Sequence, residues 1–172
     1  MLYKSEKAED LLKEWKEKLK FNEGLEIDST SVILVKSDLF FSLYERITRI
    51  VGAPAATLLY FVGEDYGKSV YRDFAGEAGE EALKKLCEFT KATGIGDVEI
   101  EIEENSKEIY ITASKGFPIG KRAKGRAADS YFAGYFAGFF SELYNKKYES
   151  TEEECLAKGD DRCRIVLKEK GE

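Results

Sequence analysis

The segment Ser130-Tyr-Phe-Ala-Gly-Tyr-Phe-Ala-Gly-Phe-Phe-Ser141 is the stretch of this sequence that most constrains the fold. At helical spacing its small residues share one stripe, which permits a close approach of another helix or subunit. Its rings cover the flanking arc, and so many rings imply a second burial surface. Two interpretations remain open: a core helix with a dimer interface, or a helix whose rings line a cavity for an apolar ligand.

A hairpin is predicted after this helix, with strands over 147–157 and 162–168 and a turn on Gly159-Asp160-Asp161. The turn brings Cys155 close to Cys163 on paired strands. Glu152 lies on the opposite face of an ideal strand, so a β-bulge is needed to direct it toward the thiols. Two thiolates and one carboxylate could bind zinc with a fourth ligand from elsewhere, although buried free thiols are an equally simple interpretation.

The preceding sequence predicts an α+β fold. Alternating apolar and acidic residues predict a strand at 98–102 that pairs with one at 109–111, and β-branched residues predict a strand at 32–35. Helices are predicted at 3–21, 38–50, 55–74 and 80–92. We therefore expect an antiparallel sheet of about four to five strands packed with about four helices, plus an N-terminal helix. Residues 1–24 form the N-terminal amphipathic helix, and residues 25–172 the ligand-binding domain.

The composition of the 172-residue chain narrows the possible functions. It has no histidine, which excludes catalytic triads and histidine-bound metals, and its net charge of −6 argues against direct nucleic-acid binding. Charged residues make up 35% and glutamine is absent, which is typical of thermophile proteins. No signal peptide or run long enough to span a membrane is seen, so we expect a cytoplasmic protein with three free cysteines.

The C-terminal pattern resembles the 4-vinyl reductase domain family over about residues 25–170. That resemblance rests on a glycine-bearing helix after Asp129, followed by Glu152-x-x-Cys155, Ala157-Lys-Gly-Asp160 and Cys163-x-x-x-Leu167. It implies a fold like that of Golgi-tethering subunits and haem nitric-oxide sensor domains. It also implies a homodimer with an interior pocket for a small, often aromatic or hydrocarbon, molecule.

The resemblance further implies a structural zinc beside the pocket. The matching ligands are Glu152, Cys155 and Cys163, whereas the family's remaining cysteine position is occupied by Asp129. Asp129 at the start of a helix can also be explained as an N-cap. Since the chain lacks histidine, the phenol specificity of related sensors does not transfer.

Rings elsewhere supply candidates for the lining of the pocket. The predicted ligand-binding residues are Phe40, Phe41, Tyr44, Tyr60, Phe61, Tyr66, Phe132 and Phe136. A basic loop before the aromatic helix could bind an anion through Lys121, Arg122, Lys124 and Arg126, or could simply be a solvated loop.

The sequence thus predicts a small-molecule sensor or carrier domain with a structural zinc. One alternative is a reductase acting on vinyl groups of tetrapyrrole-like substrates, although no Gly-x-Gly-x-x-Gly motif follows a strand, so an enzyme is less expected. The other alternative is a dimeric structural or tethering protein that binds no ligand.

Overall fold

The computed structural model describes residues 1–21, 25–27, 30–33, 35–36, 38–74, 76–103, 107–118 and 128–171. The helices are α1 (Ala8–Lys18), α2 (Asp38–Val51), α3 (Ala55–Asp73), α4 (Gly79–Ala92) and α5 (Ser130–Tyr144). The strands are β1 (Leu2–Lys4), β2 (Leu19–Phe21), β3 (Leu25–Ile27), β4 (Thr30–Val32), β5 (Val98–Glu103), β6 (Glu108–Ala113), β7 (Tyr148–Glu154) and β8 (Cys163–Glu169).

The main sheet has five antiparallel strands in the order β1-β5-β6-β8-β7. Val98 and Ile100 are fully buried while Glu99 and Glu101 are exposed, so one face of β5 covers the core and the other faces water. The predicted α+β class and antiparallel sheet are confirmed. A second sheet of three strands, β2-β3-β4, was not predicted.

The N-terminal segment differs from the helix predicted over 3–21. Leu2–Lys4 forms an edge strand against β5, and only Ala8–Lys18 is helical. Tyr3 is buried between exposed neighbours, a pattern of period two that three residues cannot distinguish from helical periodicity. The strand predicted at 32–35 lies instead at Thr30–Val32. The predicted end of the helix at 22–24 lies outside the described residues.

Close backbone contact between α3 and α5 is the main packing interaction of the core. Gly63 and Gly67 of α3 face the backbones of Tyr131 and Tyr135. In return, Gly134 and Gly138 of α5 face the backbones of Tyr60 and Glu64. A Cβ atom at any of the four glycines would overlap a carbonyl oxygen of the other helix, so none of them can carry a side chain.

The opposite side of α5 packs on the main sheet. The Ser150 hydroxyl of β7 donates a hydrogen bond of 2.6 Å to the Ala133 carbonyl oxygen. Phe132 through Phe140 are all buried, because α3 covers one side of the helix and the sheet another. The second burial surface expected for α5 is therefore provided within the chain by α3.

The helix α4 contributes a further part of the core. Cys87 is fully buried there beside Leu83 and Leu86, as expected for a small core residue. Among the described residues, no helix combines the length and the apolar character needed to cross a bilayer.

Replacing Gly67 by alanine should destabilise the fold strongly. The added Cβ would clash with the Tyr135 backbone, and overpacking of this kind costs about 3 kcal/mol of the free energy of unfolding. Urea unfolding should show a lower midpoint at an unchanged slope.

Gly96→Ala is the matched control for this substitution. The nearest heavy atom to a Cβ at Gly96, Cδ1 of Phe117, is 3.5 Å away, which is ordinary van der Waals contact. Its free energy of unfolding should change by no more than about 0.5 kcal/mol. Equal destabilisation by the two substitutions would contradict the role assigned to the α3–α5 contact.

Candidate metal centre

Four side chains converge where α5 begins and the last hairpin turns. Asp129 immediately precedes α5, Glu152 lies in β7, Cys155 follows β7, and Cys163 is the first residue of β8. One ligand atom from each residue lies within 4.8 Å of all the others. The structure therefore brings together all four residues predicted as metal ligands.

The local backbone explains why residues of alternate strand faces meet here. The register of β7 against β8 shifts between Glu152 and Glu154, which is the bulge that the sequence required. A short 3-10 helix over Leu156–Lys158 then ends at Gly159, whose φ is 101°. The Asp160 carboxylate accepts a 2.7 Å hydrogen bond from the Cys155 amide, which holds the turn closed beneath the thiol.

The side chains of the centre are removed from water. Asp129, Cys155 and Cys163 are fully buried and Glu152 is half-buried. The Cys155 thiol donates to Oδ2 of Asp129 at 3.8 Å, and the Asp129 amide donates to Oε2 of Glu152 at 3.1 Å. The Asp129 side chain makes no capping hydrogen bond to α5, so the N-cap interpretation of this residue is not supported.

Hydrogen bonding divides the two thiols into one acid and one base. The bond donated by Cys155 lowers the pKa of Cys163 to about 6, opposed by burial and helped by the backbone amides of Leu156 and Phe117. The same bond, together with burial and the nearby carboxylates, raises the pKa of Cys155. The pair thus holds one thiolate beside two carboxyl groups in a buried site.

This donor set fits a divalent cation. Oε1 of Glu152 is buried and has no hydrogen-bond partner among the described residues, which leaves one ligand atom free. Buried acidic groups are unfavourable unless a cation or hydrogen bonds compensate them. Zinc accepts thiolate and carboxylate ligands in a tetrahedral arrangement, and four protein ligands complete such a site.

An aromatic cluster adjoins the metal centre through Phe117. We define it as Phe40, Phe117, Tyr131, Phe132 and Phe136. The Phe117 ring stacks on Phe132 with centroids 4.9 Å apart and lies 5.9 Å from Phe136. Phe40 of α2 closes the cluster, 5.6 Å from Tyr131 and 6.4 Å from Phe132.

Phe117 is a residue that the sequence reasoning missed, because the loop after β6 was considered only for its charge. The available signal was a lone ring directly after Gly116, between a strand and a helix. Gly116 has a φ of +68°, and a Cβ there would clash with the Leu156 side chain. The tight turn places the Phe117 ring, which is fully buried, against α5.

The structure divides the predicted ligand-binding residues into two groups. Phe40, Phe132 and Phe136 belong to the aromatic cluster, Phe41 is partly buried against the core, and Tyr44 is buried in α2. On α3, the Tyr60 hydroxyl accepts a 3.2 Å bond from the Ser150 amide. Phe61 and Tyr66 are 56% and 42% exposed. Their role in binding remains a prediction.

The surface features of the described part do not coincide with these rings. One open depression lies around Glu154 and Arg162 and another around Glu64 and Lys146, and neither is lined by a predicted ligand-binding residue. The predicted anion-binding residues Lys121, Arg122, Lys124 and Arg126 lie outside the described residues.

The family assignment follows from the segment that carries the metal centre. Residues 124–169 match the 4-vinyl reductase domain. The match confirms the predicted family resemblance over that segment, which contains all four candidate ligands. A comparison with curated protein sequences gives no match.

Three solved structures show that this segment belongs to a shared fold. The phenol-responsive sensory domain of the transcription activator PoxR, with phenol, has a TM-score of 0.74 at 18% identity, over 96% of this chain and 91% of that chain. A vinyl-4-reductase family protein from Methanocaldococcus jannaschii scores 0.54 at 22% identity, over 81% and 85%. A trafficking protein particle complex subunit 3 from Naegleria fowleri, covalently bound to palmitic acid, scores 0.58 at 15% identity, over 78% and 95%.

Replacing Asp129 by cysteine should strengthen zinc binding. A third thiolate is a softer ligand than a carboxylate, and we expect an affinity gain of about tenfold. Because Asp129 does not cap α5, the helix loses no capping bond in this variant. Competition with a chromophoric chelator under reducing conditions measures the change.

Asp129→Asn is the matched control, since it keeps the shape but removes the anionic ligand. It should bind zinc more weakly than the wild type. If all three proteins bind zinc equally, Asp129 is not a ligand.

Proposed function

We propose that this protein is a small-molecule sensor or carrier domain, with its ligand among the rings of α5 and a structural zinc at Asp129, Glu152, Cys155 and Cys163. The shared fold with a phenol-responsive sensory domain and the match to the 4-vinyl reductase domain support this proposal. The free, buried cysteines support a reducing, cytoplasmic location.

The observation that carries the proposal is the double contact of Phe117. Its backbone amide is a hydrogen-bond donor to the Cys163 thiolate, while its ring stacks on Phe132. The metal centre and the aromatic cluster are therefore joined through one residue. A change at the rings is transmitted directly to the metal ligands, and the metal in turn holds the position of the ring.

The zinc would act as a structural ion. Asp129 precedes α5 and the other three ligands come from the last hairpin, so the metal would tie the start of the aromatic helix to the sheet. Four protein ligands leave no open position for a substrate or an activated water. The chemistry of the site is thus positioning of the rings rather than catalysis.

Native mass spectrometry of the purified chain tests the proposal. We expect one zinc for each chain and an additional mass of a small organic molecule that co-purifies with it. Cys163→Ser should lose the zinc, because the substitution removes a thiolate ligand. Elemental analysis of the same samples identifies the metal.

Cys87→Ala provides the matched control, because Cys87 is equally buried but lies in α4, away from the metal centre. It should retain a full complement of zinc. Wild-type protein that contains neither zinc nor any small molecule, and gains neither when both are supplied, would contradict the proposed function.

We further propose that the chain forms a homodimer through the outer faces of α2 and α3. These neighbouring helices each carry a stripe of exposed apolar side chains at helical spacing, with Ile50 80% exposed. The exposed apolar side chains of the two helices are Leu39, Leu43, Ile50, Val51, Leu58, Phe61, Val62 and Tyr66. A contiguous apolar face of this kind is typical of an interaction surface, and a two-fold axis lets one patch cover itself.

The double substitution Leu43→Glu and Phe61→Glu should convert the dimer to a monomer. Two carboxylates on each face would have to be buried without partners in the dimer. Light scattering after size-exclusion chromatography measures the mass. Leu12→Glu on the exposed side of α1 is the control and should remain dimeric; a wild-type monomer at all concentrations would contradict the proposal.

A further inference from the structure

The hydroxyl of Tyr135 is a buried polar group without a visible function in the fold. The residue is fully buried in α5, and its hydroxyl has no hydrogen-bond partner among the described residues. Its ring packs against Phe136 at 5.0 Å and Tyr66 at 5.7 Å. A buried hydroxyl without a partner is unfavourable, so it requires an explanation.

Packing alone does not explain the hydroxyl. The neighbouring rings of the same helix, Phe132, Phe136 and Phe139, are fully buried and carry no polar atom. A phenylalanine at 135 would fill nearly the same volume. The ring also cannot turn out to water with its backbone, because the Tyr135 carbonyl is locked against Gly67 of α3.

The surroundings of the hydroxyl are polar but uncharged. The groups that act on it electrostatically are the phenols of Tyr66 and Tyr131 and the thiol of Cys87. Burial raises the pKa of Cys87 to about 12 and also raises the pKa of Tyr131 and of Tyr66, so all three are neutral at physiological pH. A partner at this position would therefore be neutral, since a buried ion would lack a counter-charge.

We propose that the Tyr135 hydroxyl is the polar recognition point for the ligand, a small, neutral and mainly apolar molecule that carries one hydrogen-bonding oxygen. The assignment rests on the proposed function and specifies the ligand class. Tyr66, which is 42% exposed and adjoins the Tyr135 ring, connects this point with the surface. Rotation of the Tyr66 side chain would open a route for the ligand.

Isothermal titration calorimetry with phenol and toluene tests the assignment. The two probes have nearly the same shape, but only phenol carries a hydroxyl. Wild-type protein should bind phenol about five- to tenfold more tightly than toluene, the difference that one net hydrogen bond provides. Tyr135→Phe should bind both probes with the affinity that the wild type shows for toluene.

Tyr71→Phe is the matched control. Tyr71 also lies in the α3–α5 interface, 5.4 Å from Phe139, and removal of its hydroxyl should leave the preference for phenol unchanged. Equal affinities of the wild type for the two probes, or a preference that persists in Tyr135→Phe, would overturn the assignment and leave the proposed function standing. If neither probe binds the wild type, both are overturned.

Thermal unfolding without any probe gives an independent readout. Removal of an unpaired buried hydroxyl should raise the Tm of Tyr135→Phe by roughly 2–4 °C. A lower Tm would show that the hydroxyl has a structural partner in the unliganded protein, and would overturn the assignment.

Discussion

The contact between the backbones of α3 and α5 is the interaction on which the rest of the structure depends. Each helix presents two glycines to the carbonyl groups of the other, and a Cβ at any of them would overlap an oxygen. The close approach leaves the aromatic side chains of α5 no room on that side, so they project along its flanks into the core. The position of every ring then follows from one helix pair.

The metal centre fixes the same helix at its beginning. Asp129 precedes α5, and the hairpin that supplies the other three candidate ligands also supplies the strands on which α5 lies. The helix is thus held along its length by glycine contacts and at its start by the ligand cluster. Phe117 joins these two constraints, since its amide reaches Cys163 and its ring reaches Phe132.

Much of the architecture could be predicted because the local patterns are strong. The alternation of Ile100 and Ile102 with glutamates predicted β5, and the apolar stripes predicted α2, α3, α4 and α5 within a few residues. The N-terminal region could not be predicted as well. Strands of three residues such as Leu2–Lys4 carry too little periodicity, and their structure depends on pairing with a partner such as β5 that is distant in sequence.

The sequence by itself determined the ligand set of the metal centre and the need for a bulge at Glu152, because residue type and strand alternation are local properties. It also determined that α5 must be covered on more than one side. Only the tertiary structure decided what covers it, because a stripe of glycines fits a helix of the same chain as well as a second subunit. Tertiary packing likewise placed Phe117 between the metal centre and the rings and left the Tyr135 hydroxyl without a partner among the described residues, since neither depends on neighbours in sequence.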